Sequence, residues 1–176
     1  MSIQRARYTK IRHLTISLLD RFNVKVAPVP IQDLLFASGI DIKFGDLGEV
    51  SGLIARQGRH TIVGVNSIQA HTRQRFTLAH EFGHFLLHHD LQSHTDVGFR
   101  VNYRDRKSSE ATDIEEIEAN FFAASILMPR PFLDRVNAFE ALTDDDQVNR
   151  LAEIFDVSVH AMSLRLANEY SYQRSF

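Results

Sequence analysis

His80, Glu81 and His84 have the chemistry and the spacing of a zinc site on a single helix. Residues four apart on a helix lie about 40° apart around the axis and one turn apart along it, so both imidazoles can reach one tetrahedral ion. The carboxylate of Glu81 lies beside them, where it can take a proton from a water that the ion has made acidic. The pattern predicts zinc-assisted peptide hydrolysis with Glu81 as the catalytic base. The competing interpretation is a pair of histidines that only pack on a helix.

A catalytic zinc ion normally takes three protein ligands and leaves its fourth position for water. The chain contains no cysteine, so the third ligand has to be a histidine or a carboxylate. His88 lies about 12 Å of helical rise from His80, which is too far for it to share an ion with both histidines. Asp90 has the spacing of the third ligand in metzincin-like sites, but that geometry needs a glycine where this chain has Leu87. The third ligand is therefore expected further along the chain.

Glu118 is the predicted third ligand. It precedes a largely apolar run at residues 119–122 that should pack inward, so its carboxylate lies at the core boundary, where it needs a cation or another partner. Glu115 or Asp90 is predicted to accept hydrogen bonds from the N–H groups of the histidines. Glu116 is predicted to face solvent.

The elements that carry these residues follow from hydrophobic periodicity. An apolar stripe without proline predicts one long helix over residues 73–89, and a second stripe predicts a helix over residues 113–128 that Pro129 stops. The other predicted elements are strands at 40–44, 51–56 and 60–65, a surface loop at 91–112, and helices at about 5–22, 31–37, 131–139, 145–155 and 158–170. The predicted class is α+β: a mostly helical zincin-like domain with a small antiparallel three-stranded sheet packed on the active-site helix.

Length and composition limit the classes of protein to which the chain can belong. A chain of 176 residues suits a single domain over 1–176, with a helical N-terminal segment at 1–29, a peptidase core at 30–140 and a C-terminal helix pair at 141–176. The formal net charge of −2 excludes a globally basic nucleic-acid binder. The polar N-terminus and the lack of an apolar stretch of bilayer length predict a cytoplasmic protein.

Two long motifs resemble those of the ImmA/IrrE-family metallopeptidases. Residues 76–88, Phe-Thr-Leu-Ala-His-Glu-Phe-Gly-His-Phe-Leu-Leu-His, resemble the active helix of that family, and residues 115–129 resemble its second signature. Asn66, after the second strand of the predicted hairpin, also fits, and the resemblance covers roughly residues 30 to 170. It implies zinc as the cofactor, with the ligands His80, His84 and Glu118 and the general base Glu81.

The resemblance also implies a function. Members of this family are implicated in cleaving helix-turn-helix repressors, which derepresses stress, defence or mobile-element genes. The expected protein is thus a zinc endopeptidase of narrow specificity with a repressor as its substrate. The alternative is a DNA-associated regulatory protein with a structural or vestigial zinc site. The intact Glu81 argues against it, because a structural site needs no base beside its ligands.

Basic residues could add a nucleic-acid partner, since the resemblance allows that nucleic acid activates some relatives. The candidates for a phosphate-binding surface are Arg56, Arg59, Arg73 and the stretch 100–107. Its affinity should fall steeply with salt, although an acidic patch on a protein substrate would dock with similar salt dependence. Tyr103 and Arg104, in the loop that joins the two metal-bearing helices, are candidates for stabilising the oxyanion of the transition state.

Residues 151–166 resemble a helix-turn-helix, with Asp156 in place of the usual turn glycine. Arg165 is the only basic residue of the second helix apart from His160, whereas a recognition helix normally makes several phosphate or base contacts. A packed helix pair that completes the peptidase core is the favoured interpretation.

Overall fold

The structure is a computed structural model that describes residues 6–58, 60–88, 93–96 and 110–170. Its helices are α1 (Tyr8–Arg21), α2 (Ile31–Ala37), α3 (His71–Leu87), α4 (Glu110–Leu127), α5 (Arg130–Arg135), α6 (Asp145–Phe155) and α7 (Val159–Tyr170). Its strands are β1 (Ile40–Gly45), β2 (Gly52–Gln57), β3 (His60–Asn66) and β4 (Ser93–Asp96), and a 3₁₀ turn covers Glu140–Thr143. The predicted α+β class with a helical majority is confirmed.

The sheet differs from the predicted one in the direction of a strand and in its size. The strand order is β1-β3-β2-β4, and β1 runs parallel to β3, so the sheet is mixed. The predicted hairpin of β2 and β3 is present, with Gly58 at a φ of +62° in its turn. The strand β3 lies between the two others, parallel to β1 and antiparallel to β2. The fourth strand, β4, pairs with β2 and falls inside the stretch predicted as a loop.

One hydrophobic core joins the sheet to the helices that flank it. Its largest fully buried side chains come from six different helices: Ile11, Leu35, Phe82, Phe122, Phe155 and Tyr170. Burying side chains of this size stabilises the fold by roughly 1.5–3 kcal/mol each. The helix α3 lies within this core between the sheet and α4, so the two faces of α3 are held by different elements.

A buried asparagine fixes the connection that leads into β2. Asn66, at the end of β3, is fully buried, and its Nδ2 donates to the carbonyl oxygens of Gly48 and Val50, both at 2.9 Å. These two bonds satisfy the amide group of the buried Asn66 and carbonyl groups that no strand pairs. The loop therefore delivers β2 in a fixed position beside α3.

The C-terminal helices α6 and α7 pack as a pair against the rest of the chain. Asp156 adopts the left-handed conformation in the turn between them, with φ 52° and ψ 54°, so it replaces glycine there without leaving the turn geometry. Arg165 is only 4% exposed, and its Nε donates to the carbonyl oxygen of Met128. An inward-pointing Arg165 cannot contact a phosphate. These contacts fit the packed helix pair.

Among the described residues, no helix has the length and the apolar character that crossing a membrane requires.

Candidate metal centre

Two histidines and one carboxylate converge between α3 and α4. The Nε2 atoms of His80 and His84 are 3.1 Å apart. Glu116 reaches both of them: its Oε2 lies 3.5 Å from His80 Nε2, and its Oε1 lies 3.1 Å from His84 Nε2. Tetrahedral zinc with bonds of about 2.0–2.1 Å holds its nitrogen ligands about 3.3 Å apart, so this donor set fits such an ion. Among the described residues, these three form the group that could hold a metal.

The carboxylate in this group is Glu116, whereas the sequence predicted Glu118. The helix α4 turns about 100° per residue, so residues 116 and 118 point to nearly opposite sides of it. Glu118 faces Arg7 and His88 instead of the histidine pair. In the structure the carboxylate beside the histidine pair is that of Glu116, which had been expected to face solvent and is about one-third exposed. The assignment of the third ligand stays a proposal.

The orientation of His80 is set by a residue of α4 that the sequence analysis missed. His80 Nδ1 lies 2.9 Å from Asn120 Oδ1. An amide oxygen accepts, so Nδ1 carries the proton, and the lone pair of Nε2 points toward His84 and Glu116. Asn120 is four residues after Glu116 and hence on the same face of α4. That spacing was the available clue to its role.

Glu81 lies at the sheet side of α3 and is fully buried. The strand β2 passes close to it at Gly52. A Cβ atom at position 52 would lie 2.2 Å from Thr77 Cγ2 and 3.5 Å from Glu81 Oε1. Only glycine fits there without moving Thr77, while Glu81 Oε1 lies at ordinary contact distance from this position. The base candidate thus directly follows His80 and lies where α3 meets β2.

The close approach of α3 and α4 depends on Gly83, between the two histidines. A Cβ atom at position 83 would lie 3.1 Å from Ala119 Cα and 3.2 Å from its carbonyl oxygen. With small residues on both helices, α4 comes near enough for a short glutamate and a short asparagine to reach the imidazoles. Glycine in this helix costs roughly 1 kcal/mol of helix propensity, which the helix contact offsets.

Glu118 takes part in a separate buried ion pair. Its side chain is 1% exposed and lies 2.6 Å from Arg7 Nη2. Burial alone would raise the pKa of Glu118, but the hydrogen bonds and the charge of Arg7 hold that pKa below its usual range. His88 Nε2 lies 3.8 Å from the same carboxylate. Burial, together with the charge of His84, lowers the pKa of His88. The positive charge of Arg7 is therefore the main compensation for the negative charge of the buried Glu118 carboxylate.

The arginines predicted to bind phosphate have intramolecular roles where the structure describes them. Arg56 Nη2 contacts the carbonyl oxygens of His84, Phe85 and His88 at 3.5, 3.0 and 3.4 Å, at the C-terminal end of α3. These carbonyls lie in the last turn of the helix, where carbonyl groups lack helical partners, although that of His84 also accepts from His88 N. Arg73 Nη2 donates to Ser51 Oγ at 3.0 Å. Arg56 and Arg73 thus support the fold around α3, and a phosphate-binding surface stays a prediction.

Several predicted residues fall outside the described part of the chain. These are Asp90, Tyr103, Arg104, Arg59 and the stretch 100–107. Glu115 is described and is half-buried on α4, and its predicted role beside the histidines stays a prediction. In the structure, Asn120 bonds to His80 Nδ1.

Two histidines on α3 and a glutamate on α4 thus form a group that could hold a metal ion. The family described as Peptidase_M78, IrrE N-terminal-like domain, matches residues 37–167, which is most of the chain. This chain therefore belongs to that family.

The chain is similar to two proteins that are both described as the radiation response metalloprotease IrrE. Over 96 residues, the chain is 38% identical to the radiation response metalloprotease IrrE of Deinococcus radiodurans and 32% identical to that of Deinococcus deserti. The aligned part covers 54% of this chain but only 27% and 32% of those two proteins. The chain thus matches about a third or less of their length.

The fold also occurs in a solved structure. A Mycobacterium tuberculosis transcriptional regulator superposes with a TM-score of 0.62 over 90% of this chain and 46% of its own, at 18% identity. At this identity the likeness concerns the fold alone.

Proposed function

We propose that this protein is a zinc-dependent endopeptidase of narrow specificity. The observation that carries the proposal is the convergence of His80 Nε2, His84 Nε2 and the Glu116 carboxylate beside the buried Glu81. Membership of a peptidase family supports the same class. In this proposal Glu116 takes the place of Glu118 as the third ligand, because it is the carboxylate within reach of both imidazoles.

The residues of the chain have separate tasks in this chemistry. When bound, zinc would acidify a water molecule and polarise the scissile carbonyl group. Glu81 accepts the proton of the attacking water and delivers it to the leaving amine, which requires a carboxylate within hydrogen-bond reach. Asn120 holds His80 with its Nε2 lone pair available. The burial of His80, Glu81 and His84 keeps bulk water from competing with the substrate.

We propose a helix-turn-helix repressor as the substrate, acting in stress, defence or mobile-element regulation. The support is the match to radiation response metalloproteases and the sequence resemblance to a repressor-cleaving family. The test is incubation of the zinc-loaded protein with the repressor encoded beside its gene, followed by mass spectrometry of the fragments. We expect one cleavage site. The exposed Glu153 on α6 provides the control variant Glu153→Gln, to be compared with Glu81→Gln.

Two results would count against the proposal. Cleavage that survives in Glu81→Gln at the rate of Glu153→Gln would mean that a contaminating protease acts. A protein that binds zinc but cleaves no repressor in any condition would favour a regulatory protein with a structural metal site.

A further inference from the structure

A single residue before α1 ties the two metal-bearing helices together. Arg7 donates three hydrogen bonds to Glu118 on α4, from its backbone N at 2.8 Å, its Nε at 2.9 Å and its Nη2 at 2.6 Å. The same Nη2 also lies 3.5 Å from the carbonyl oxygen of Leu87, the last residue of α3. Arg7 lies outside residues 37–167, the span that matches the family.

The ion pair of Arg7 with Glu118 should restrain α4, because the accepting carboxylate of Glu118 is buried. Glu118 is 1% exposed, whereas Arg7 is 42% exposed. A buried carboxylate that loses its partner is left as an uncompensated charge, which costs several kcal/mol. The planar guanidinium also fixes direction as well as distance, because its Nε and Nη2 engage the two carboxylate oxygens together.

The direction in which the Glu118 side chain points around the axis of α4 also determines where the Glu116 side chain points. The two residues are about 200° apart around α4, and Asn120 returns to within about 40° of Glu116. A rotation of α4 that releases Glu118 from Arg7 would therefore move Glu116 and Asn120 away from the imidazoles. The contact between Gly83 and Ala119 sets how close the helices come, and the ion pair of Arg7 with Glu118 adds a directional contact to the apolar packing of α4.

We propose that Arg7 is a positioning residue for the metal centre. By anchoring Glu118, it sets the rotation of α4 at which Glu116 and Asn120 face His80 and His84. The inference rests on the proposed function, since it concerns the same metal. It also assigns a task to the N-terminal segment: an element from outside the family-matched span completes the support of the site.

The test compares the zinc affinity of point variants by chelator competition, at a temperature where circular dichroism shows each to be folded. We expect Arg7→Gln to bind zinc about tenfold more weakly or worse, the usual range for losing a residue that supports a ligand. Arg7→Lys keeps the positive charge but lacks the planar guanidinium. Its zinc affinity should therefore lie between those of Arg7→Gln and the wild type. Arg12→Gln is the matched control, because Arg12 also lies in the N-terminal helical part and pairs with a buried acid, Glu169, on α7. It should stay within twofold of the wild type.

A double variant tests whether Arg7 affects zinc affinity through its contact with Glu118. Arg7→Gln with Glu118→Gln should bind zinc no more weakly than Arg7→Gln alone, because both changes break one contact. Additive losses would overturn the proposal. So would an Arg7→Gln variant within twofold of the wild type, or an Arg12→Gln variant that loses as much affinity.

A second measurement separates this inference from the proposed function. In the metal-free protein, the Nδ1–H resonance of His80 reports its bond to Asn120. We expect it in the wild type and in Arg12→Gln but not in Arg7→Gln. If the wild type bound no zinc, the proposed function would fail while this resonance still tested the role of Arg7. An unchanged resonance in Arg7→Gln would overturn the inference even if zinc bound and cleavage occurred.

Discussion

His80 donates the hydrogen of its Nδ1 to Asn120 Oδ1 over 2.9 Å, and this bond joins the metal-bearing faces of α3 and α4. The acceptor is a neutral amide, so it orients the imidazole without adding negative charge. A carboxylate in this place would make Nε2 more basic and increase its attraction for a cation. The choice of asparagine therefore bears on both the geometry and the metal affinity of the site.

Changing Asn120 should alter zinc affinity in opposite directions. Asn120→Ala removes the acceptor, so we expect binding to weaken by about 10–100-fold. Asn120→Asp keeps the acceptor and adds charge, so we expect binding at least as tight as in the wild type. Chelator competition measures both. If the two variants weakened binding equally, the hydrogen bond would not be the reason for the loss.

The two glutamates of α4 should behave differently when they are neutralised. Glu116→Gln removes a proposed ligand, so it should abolish stoichiometric zinc binding, as measured by metal analysis after dialysis. Glu118→Gln breaks the ion pair with Arg7 but removes no proposed ligand, so zinc should remain, with a loss of affinity of no more than about tenfold. The opposite ranking would restore Glu118 as the ligand that the sequence predicted.

Glu81 should be needed for the reaction but not for the metal. We expect Glu81→Gln to bind zinc as the wild type does and to cleave about 10²–10⁴-fold more slowly, because an amide cannot take the proton of water. Single-turnover kinetics with matched zinc content measure this effect. Loss of zinc from the variant would show that Glu81 also holds the metal in place.

Gly83 should tolerate no side chain. The methyl group of Gly83→Ala would meet the backbone of Ala119 at about 3.1 Å, so α4 has to move away. We expect the free energy of unfolding to fall by about 1–3 kcal/mol and zinc affinity to fall with it. The control is Gly45→Ala in β1, where an added Cβ meets nothing within 4 Å. Denaturant unfolding compares the two, and equal stabilities would contradict the close helix contact.

The last prediction concerns alkaline pH. Burial, and a hydrogen bond to Asp134, raise the pKa of Tyr170 to about 12 from an ordinary value of 10.0. A raised pKa in the folded state contributes stability that is complete below the pKa of the unfolded state and is lost as pH rises through the folded one. The free energy of unfolding should therefore fall between about pH 10 and 12. Tyr170→Phe should have a smaller fall over this window, measured by denaturant titration at each pH.

The sequence alone determined which residues of α3 can do chemistry. His80, Glu81 and His84 lie within five positions of one helix, so their relative placement follows from helical geometry and does not depend on the rest of the fold. The mostly helical α+β class was also predictable, because amphipathic periodicity is a local property. The sheet was predicted only in part, since the parallel pairing of β1 with β3 joins segments that are distant in the sequence.

The choice between Glu116 and Glu118 was decided by the tertiary structure. Both carboxylates lie on the predicted second helix, and the apolar run after Glu118 favoured the wrong one for the histidine group. Which side of α4 meets α3 depends on the contact of Gly83 with Ala119 and on the ion pair of Arg7 with Glu118. These contacts join residues that are far apart in the chain, and the apolar residues of α4 are not confined to one side of the helix, so they do not indicate which side meets α3. Periodicity therefore located the helix, and only its packing determined which carboxylate faces the histidines.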